Sequence, residues 1–134
     1  MGNSIKSILA IAAVASIGML PIARAANPSE KEVVVSVNDA YIPGGFDSTS
    51  DAYVVASGLF PNGCYKWNRA DVTHSDAFTH EIKSVAKVSQ GMCLMVLVPF
   101  TKEIRLGTLA SGKHSVRFMN GDGTYMEKTL TIEE

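Results

Sequence analysis

The sequence predicts an all-β fold, an antiparallel sandwich or barrel of about seven strands. Short runs rich in β-branched and aromatic residues recur along the chain, separated by clusters of Gly, Pro, Asn and Asp. After residue 25, no segment keeps the 3.6-residue apolar period of a surface helix. Near the C-terminus an Asn-Gly step lies between two alternating runs, which is a strong hairpin signal.

The first 25 residues have the pattern of a secretory signal peptide. Lys6 provides the positive charge, residues 8–20 are an apolar run, and small residues stand at the cleavage positions that end with Ala25. The run of about 13 residues is shorter than the roughly 20 that a membrane-spanning helix needs. We therefore expect cleavage between Ala25 and Ala26. The mature chain, residues 26–134, is then a single periplasmic or secreted domain without stable membrane insertion.

Composition and charge exclude several classes of protein. Hydrophobic residues make up 46% of the chain and charged residues 19%, which argues against a disordered chain. The chain has 12 basic and 13 acidic residues, and removal of the signal peptide takes two basic ones away. The mature domain is therefore mildly acidic and has no basic stripe, so we expect no binding of nucleic acid.

The first predicted strand is residues 33–37, a run rich in valine that follows a charged lead. Residues 41–51 contain a Pro-Gly-Gly step and a run of Asp, Ser and Thr, and these predict a loop. Residues 53–60 form the second strand, and a Pro-Asn-Gly turn leads into a third strand that begins at Cys64.

The fourth strand begins near Phe78, because Phe78, His80 and Ile82 alternate with polar residues and share one face. Residues 92–98 are seven consecutive apolar residues, which predict a central strand covered on both faces. We expect Pro99 to end that strand.

The predicted strands after Pro99 are short. The first covers residues 102–106. The last two, 115–119 and 125–132, form a hairpin around the Asn-Gly-Asp-Gly turn at 120–123.

The chain has two cysteines, Cys64 and Cys93. In an exported protein an even pair of cysteines predicts one disulfide bond. Such a bond would close a loop of about 30 residues and stabilise the domain by about 3 to 4 kcal/mol on the loop-entropy estimate. A redox-active pair and a thiolate metal site are less favoured, because no Cys-x-x-Cys motif occurs and no histidine is close in sequence.

A series of short motifs runs through most of residues 52–132. Its members are Gly58-x-Phe60-Pro61-x-x-Cys64-Tyr65, Cys93 followed by Pro99-Phe100, and Leu106-Gly107-x-Leu109-x-x-Gly112. The series resembles small exported bacterial domains with an immunoglobulin-like sandwich. The resemblance implies the immunoglobulin-like architecture and implies no activity. The chain departs from antibody domains, since no Tyr lies two residues before Cys93 and His114 stands where an aromatic residue is expected.

Catalytic signatures are missing from the sequence. It has no Gly-x-Ser-x-Gly elbow and no His-Glu-x-x-His motif, and its glycine pairs lack the strand-to-helix context that holds a phosphate. We therefore expect a non-enzymatic protein with no catalytic residues and no cofactor.

The three histidines do not predict a metal site. His114 and His80 share faces with apolar residues, and we expect both to be packed, with His114 hydrogen-bonded to the backbone. His74 lies in a polar stretch and is expected to be solvated. Copper binding is an alternative hypothesis, because Met119 and Met126 flank the hairpin turn and thioethers favour Cu(I). Its candidate ligands are Met119, Met126, His74 and His80.

The leading functional hypothesis is a non-enzymatic, exported binding or structural module that contacts a protein or an envelope component through its loops. The candidate contacts are Tyr41 and Phe46 in the first loop and Asn120 and Asp122 in the hairpin. If Tyr41 and Phe46 are buried, they close the end of the core instead, and we favour this reading because large apolar groups are usually buried. A loop-presenting inhibitor of a protease or other hydrolase and a copper carrier that uses Met and His are the alternatives.

Overall fold

Alternating and β-branched runs form eight strands in the part of the chain that the computed structural model describes, Gly18 and residues 30–134. In this part no helix is long and apolar enough to cross a membrane. The predicted signal peptide, residues 1–25, lies outside the described residues except for Gly18, so its cleavage stays a prediction. The strands are β1 (Glu30–Val34), β2 (Asp39–Tyr41), β3 (Ala52–Phe60), β4 (Tyr65–Asp76), β5 (Thr79–Ser89), β6 (Val98–Gly107), β7 (Gly112–Met119) and β8 (Tyr125–Ile132).

The strands form one five-stranded and one three-stranded sheet. In the larger sheet, β4 pairs with one edge of β5. Along the other edge of β5, β7 pairs with residues 79–83 and β1 with residues 85–89. The strand β8 pairs with the outer edge of β7. The smaller sheet has the order β2-β3-β6. All of these pairs are antiparallel except β5 with β7, which are parallel, so the larger sheet is mixed and not purely antiparallel as predicted.

The core lies between the two sheets because alternate residues of both sheets turn inward. From the smaller sheet, Val54 and Ala56 of β3 are fully buried. From the larger sheet, Ile82, Phe118 and Leu130 pack against them in the same cluster. The inward positions at one end of this core are taken by polar side chains, and this places the candidate site described below.

A second, smaller cluster lies toward the other end of the sandwich and is built on aromatic rings. Phe60 and Phe100 stack with centroids 4.5 Å apart, and Val35 and Ala86 pack beside them. Gly58 is opposite Phe100, where an added Cβ would lie 2.6 Å from the ring. Only glycine fits this close approach of ring and backbone.

The strands with clear alternation are confirmed. The predictions 53–60, 115–119 and 125–132 correspond to β3, β7 and β8. The first strand is displaced, since β1 begins at the charged lead and ends at Val34, after which Val35 turns into the core. The charged lead can pair because its partners in β5, Lys87, Val88 and Ser89, are exposed or half-buried.

The prediction for residues 92–98 is wrong. Residues 92–97 are an exposed loop, and Pro99 does not end a strand but lies within β6. A continuous apolar run is typical of a buried strand but does not itself supply a partner for the backbone. Pro99 is tolerated in β6 because β6 is the outer strand of the smaller sheet and needs no hydrogen bond on its free side.

Candidate functional site

The disulfide bond predicted between Cys64 and Cys93 is present, with Cα atoms 5.2 Å apart. It ties the loop of residues 92–97 to the turn between β3 and β4. The backbone N–H of Gly63 also donates to the carbonyl oxygen of Leu94 at 2.9 Å. The backbone of the loop is thus held at two adjacent points.

The side chains of this loop, which we call the apolar loop, point into solvent. Met92 and Met95 are 105% and 82% exposed, and the other large apolar members are exposed too. No charged residue occurs between Ser89 and Thr101. A contiguous exposed apolar patch in a folded domain marks an interaction site more often than a scattered exposed leucine does. The exposed large apolar residues of the loop are Met92, Leu94, Met95, Val96 and Leu97.

At the opposite end of β4, all three histidines of the chain lie in one row. His74 of β4 is directly opposite His80 of β5, and their Nδ1 atoms are 2.6 Å apart. The Nε2 atom of His80 lies 2.8 Å from Nδ1 of His114, near the start of β7. Nε2 of His114 in turn lies 2.6 Å from the carbonyl oxygen of Ala110. The row therefore runs from the surface to a backbone carbonyl.

The row contains two of the few buried polar side chains. His80 and His114 are each 1% exposed, whereas His74 is exposed. Burial lowers the pKa of His80 to about 4, and the neighbouring His74 and His114 add to this shift while Asp76 opposes it. His80 is therefore neutral at neutral pH, which the predicted packing of this residue requires.

A cleft of about 270 Å³ opens beside the row. Asp76 lies at this cleft, and its Oδ1 atom accepts a hydrogen bond from the backbone N–H of Phe78 at 2.7 Å. That bond holds the pKa of the Asp76 carboxyl below its usual range. The cleft is lined by His74, Asp76, Ala77, His80, Thr108, Leu109 and Ala110.

The predicted partner contacts do not come together. Phe46 is half-buried and packs edge-on to the Tyr53 ring, and its carbonyl oxygen accepts from the backbone N–H of Glu133, just after β8 ends. The hairpin turn with Asn120 and Asp122 lies before β8 begins. The first loop and the hairpin therefore lie at opposite ends of β8, and Phe46 closes the core as favoured above. Tyr41 is 67% exposed, so the favoured interpretation that it closes the core is wrong for this residue. Its role in contact stays a prediction.

The polar side chains of the hairpin turn act within the turn. Asp122 accepts hydrogen bonds from the backbone N–H and the hydroxyl of Thr124, and these bonds lower the pKa of its carboxyl. The side-chain amide of Asn120 donates to the same hydroxyl at 2.9 Å. Whether these residues also contact a partner stays a prediction.

The two methionines that flank the hairpin do not face each other. Phe118 is directly opposite Met126, and Met119 is directly opposite Tyr125. Since side chains alternate along a strand, Met126 lies on the core side of the sheet and Met119 on the other. Met119 and Met126 therefore form no shared site, which corrects that part of the copper hypothesis. Among the described residues, no three His, Cys, Asp or Glu side chains are placed to hold one metal ion.

Comparison with known proteins bears on the fold. The model of one family, the ORF11 beta-sandwich domain, matches residues 54–132, more than half of the chain. The chain belongs to this family. The ORF11 beta-sandwich domain thus extends from β3 to the end of β8, and contains the disulfide, the apolar loop and the row of histidines. No curated protein and no solved structure matches the chain.

Sequence reasoning missed the apolar loop as a site, and it named His74 and His80 as candidate ligands without placing His114 beside them. His74 and His80 are equally distant from Ala77, so a hairpin centred on that residue would have predicted their pairing. The apolar loop had a signal in Pro99, because proline is confined to the edge of a sheet and argues against a central strand nearby. The contact between His80 and His114 had no local signal, since it depends on the parallel pairing of β5 and β7.

Proposed function

We propose that the protein is an exported, non-enzymatic binding module that inserts its apolar loop into a hydrophobic groove of another protein. The observation that carries this proposal is the exposure of five large apolar side chains on a loop held by a disulfide bond. It replaces the first loop and the hairpin as the main contact surface.

The energetics of the loop favour such a role. Covering two leucine-sized side chains gives about 3 to 6 kcal/mol of favourable free energy. The bond from Cys64 to Cys93 and the hydrogen bond to Leu94 hold the loop before it binds, so less ordering entropy opposes association. Met92 and Met95 have flexible, polarisable side chains that adapt to grooves of different shape.

The charge pattern favours a protein partner over a lipid surface. Peripheral binding to anionic membranes combines apolar insertion with a cluster of Lys and Arg close to the inserted residues. The segment from Ser89 to Thr101 has no basic residue. Binding in a hydrophobic groove of a protein requires apolar contact and no basic cluster.

Export is part of the proposal. The pattern of residues 1–25 supports secretion, and the disulfide supports an oxidising compartment. A bacterial source and an immunoglobulin-like topology are likewise inferred, from the motif series in residues 52–132. Mass determination of the protein recovered from the envelope tests export, since cleavage after Ala25 gives a chain that begins at Ala26.

Site-specific photo-crosslinking in cells tests the contact surface. A photoreactive amino acid replaces Met95 in the loop and, as a matched control, the exposed Glu103 of β6. We expect position 95 to give a discrete adduct with one protein, and position 103 to give none. The Leu94→Asp/Leu97→Asp variant should abolish the adduct. Adducts with lipid alone, with a second copy of the chain, or of equal yield at both positions would overturn the proposal.

Inhibition of a hydrolase is the second candidate function, and the position of Cys93 within the apolar loop favours it. A loop tethered by a disulfide and reaching outward can occupy an active-site cleft without losing its conformation. Incubation with a panel of envelope and secreted hydrolases tests it. Inhibition that is lost in Met95→Asp supports this function, and full activity of every hydrolase in the panel removes it.

A further inference from the structure

The row of histidines begins with two ring nitrogens that face each other at the edge of the cleft. His74 and His80 are a directly opposed pair on antiparallel strands, and their rings are nearly perpendicular, with an interplanar angle of 83°. Their Nδ1 atoms are 2.6 Å apart. Imidazole nitrogens are donors that borderline transition-metal ions prefer, and two of them this close can share one ion.

The directions of the hydrogen bonds follow from the backbone carbonyl at the end of the row. The oxygen of Ala110 only accepts, so Nε2 of His114 carries a proton and donates to it. A neutral His114 then has a lone pair on Nδ1, which accepts from Nε2–H of His80. A neutral His80 in turn has its lone pair on Nδ1, directed at His74. The lone pair of a buried histidine is thereby fixed toward the surface.

We propose that His74 and His80 bind a divalent transition-metal ion, Zn²⁺ or Cu²⁺, between their Nδ1 atoms. In the metal-free protein, Nδ1 of His74 supplies the proton that lies between the two rings. His74 is exposed, so a neutral His74 can carry its proton on Nε2 instead and present a second lone pair. The ion then takes the place of the shared proton, and neither ring changes its charge.

The geometry needs only a small adjustment. Two nitrogens that bind one tetrahedral ion at about 2.0 Å lie about 3.3 Å apart. The Nδ1 atoms are at 2.6 Å, so the rings must separate by about 0.7 Å and turn until both lone pairs meet at the ion. The ring of His74 supplies this movement, since it lies at the surface, whereas His80 is packed.

The support behind His80 is that of a metal ligand. A histidine that binds a metal usually donates its other ring N–H to an acceptor, which fixes the tautomer and the ring orientation. Nε2–H of His80 donates to His114, and His114 is fixed by the carbonyl of Ala110.

The remaining coordination positions face the cleft of about 270 Å³, which has room for water. Asp76 lines the same cleft and can add a carboxylate oxygen after a side-chain movement. With one nitrogen fixed on His80, a second on the exposed ring of His74 and solvent at the other positions, the site binds an ion reversibly and leaves positions open.

Calorimetry with Zn²⁺ on tag-free mature protein tests the site. We expect one ion per chain, and a loss of affinity of at least about tenfold in His74→Asn. This variant keeps an N–H that can donate to His80 but removes the imidazole nitrogen, and it changes an exposed residue, so the fold is retained. With Cu²⁺, electron paramagnetic resonance should show coupling to two imidazole nitrogens in the wild type and to fewer in His74→Asn.

The matched control is the Met119→Leu/Met126→Leu variant, which alters the other candidate ligands and should bind Zn²⁺ as the wild type does. Zn²⁺ affinity that is unchanged in His74→Asn would overturn the proposal, and so would the absence of Zn²⁺ binding at millimolar concentration. Both results leave the proposed role of the apolar loop intact, because that loop lies at the other end of β4.

Discussion

The two ends of the β4–β5 hairpin differ in what is buried and what is exposed. At the Cys64 end, a disulfide bond and stacked aromatic rings close the sandwich, and a loop of apolar side chains points into solvent. At the His74 end, polar imidazoles are buried in a hydrogen-bonded row and the apolar residues beside them line a cleft. Each end thus has residues in the environment opposite to their ordinary preference.

The two ends differ in which residues stabilise the fold. At the first end the crosslink and the rings of Phe60 and Phe100 stabilise the structure, and the exposed side chains of the apolar loop are not part of the core. At the second end the histidines themselves complete the core, so a functional row is also a structural one. We therefore expect changes in the apolar loop to affect binding without stability, and changes of the buried His80 and His114 to alter both.

The largest expected effect comes from removal of the crosslink. The Cys64→Ser/Cys93→Ser variant should lose about 3 to 4 kcal/mol in the free energy of unfolding, because the bond spans 29 residues of sequence and constrains the unfolded chain. Urea unfolding followed by tryptophan fluorescence measures it. The ring resonances of the histidines should be unchanged at temperatures where the variant is folded. A loss below about 1 kcal/mol would mean that the rings alone close this end.

Acid should lower the free energy of unfolding through His80, at the His74 end of the hairpin. The pKa of His80 is lowered to about 4 in the folded state from an ordinary value of 6.5, so the unfolded chain binds a proton first as the pH falls. The contribution of His80 to the free energy of unfolding is fully present above pH 6.5. It decreases by about 2 to 3 kcal/mol as the pH falls toward 4. Asp76, which faces His80, opposes the shift, while His74 and His114 add to it.

Urea unfolding at pH 7.0 and pH 4.5, in the presence of a chelator, measures this dependence. The His80→Gln variant is the control and should show a smaller decrease between the two values. Equal decreases in wild type and variant would show that another group is responsible.

Gly58→Ala tests how tightly the first end is packed. The new methyl group would lie 2.6 Å from a ring carbon of Phe100 and 3.0 Å from the carbonyl oxygen of Ser36. The ring packs against Phe60 and the indole of Trp67, and these contacts restrict its movement. We expect a loss of about 1 to 3 kcal/mol. Gly44→Ala, where nothing lies within 4 Å of the added atom, should be nearly neutral.

The same contrast explains how much of the molecule the sequence could predict. β3, β7 and β8 were predictable because each alternates between a buried and an exposed face. The apolar loop was not, because seven consecutive apolar residues are typical of a buried strand, and the disulfide bond that holds the loop joins Cys93 to Cys64, 29 residues away. The row of histidines depends on the pairing of β5 with β7, and the sequence separation of His80 and His114 is 34 residues.

The smallest expected effect lies in the apolar loop itself. Leu97→Ser should change the free energy of unfolding by no more than about 0.5 kcal/mol, because the side chain is 65% exposed and loses little packing. The identical change at Leu109, which is 8% exposed, should cost at least about 2 kcal/mol. If Leu97→Ser proves as costly as Leu109→Ser, the loop packs in solution and the proposed contact surface is lost. If it is neutral and also removes the photo-crosslink at position 95, the loop contributes to binding and not to folding.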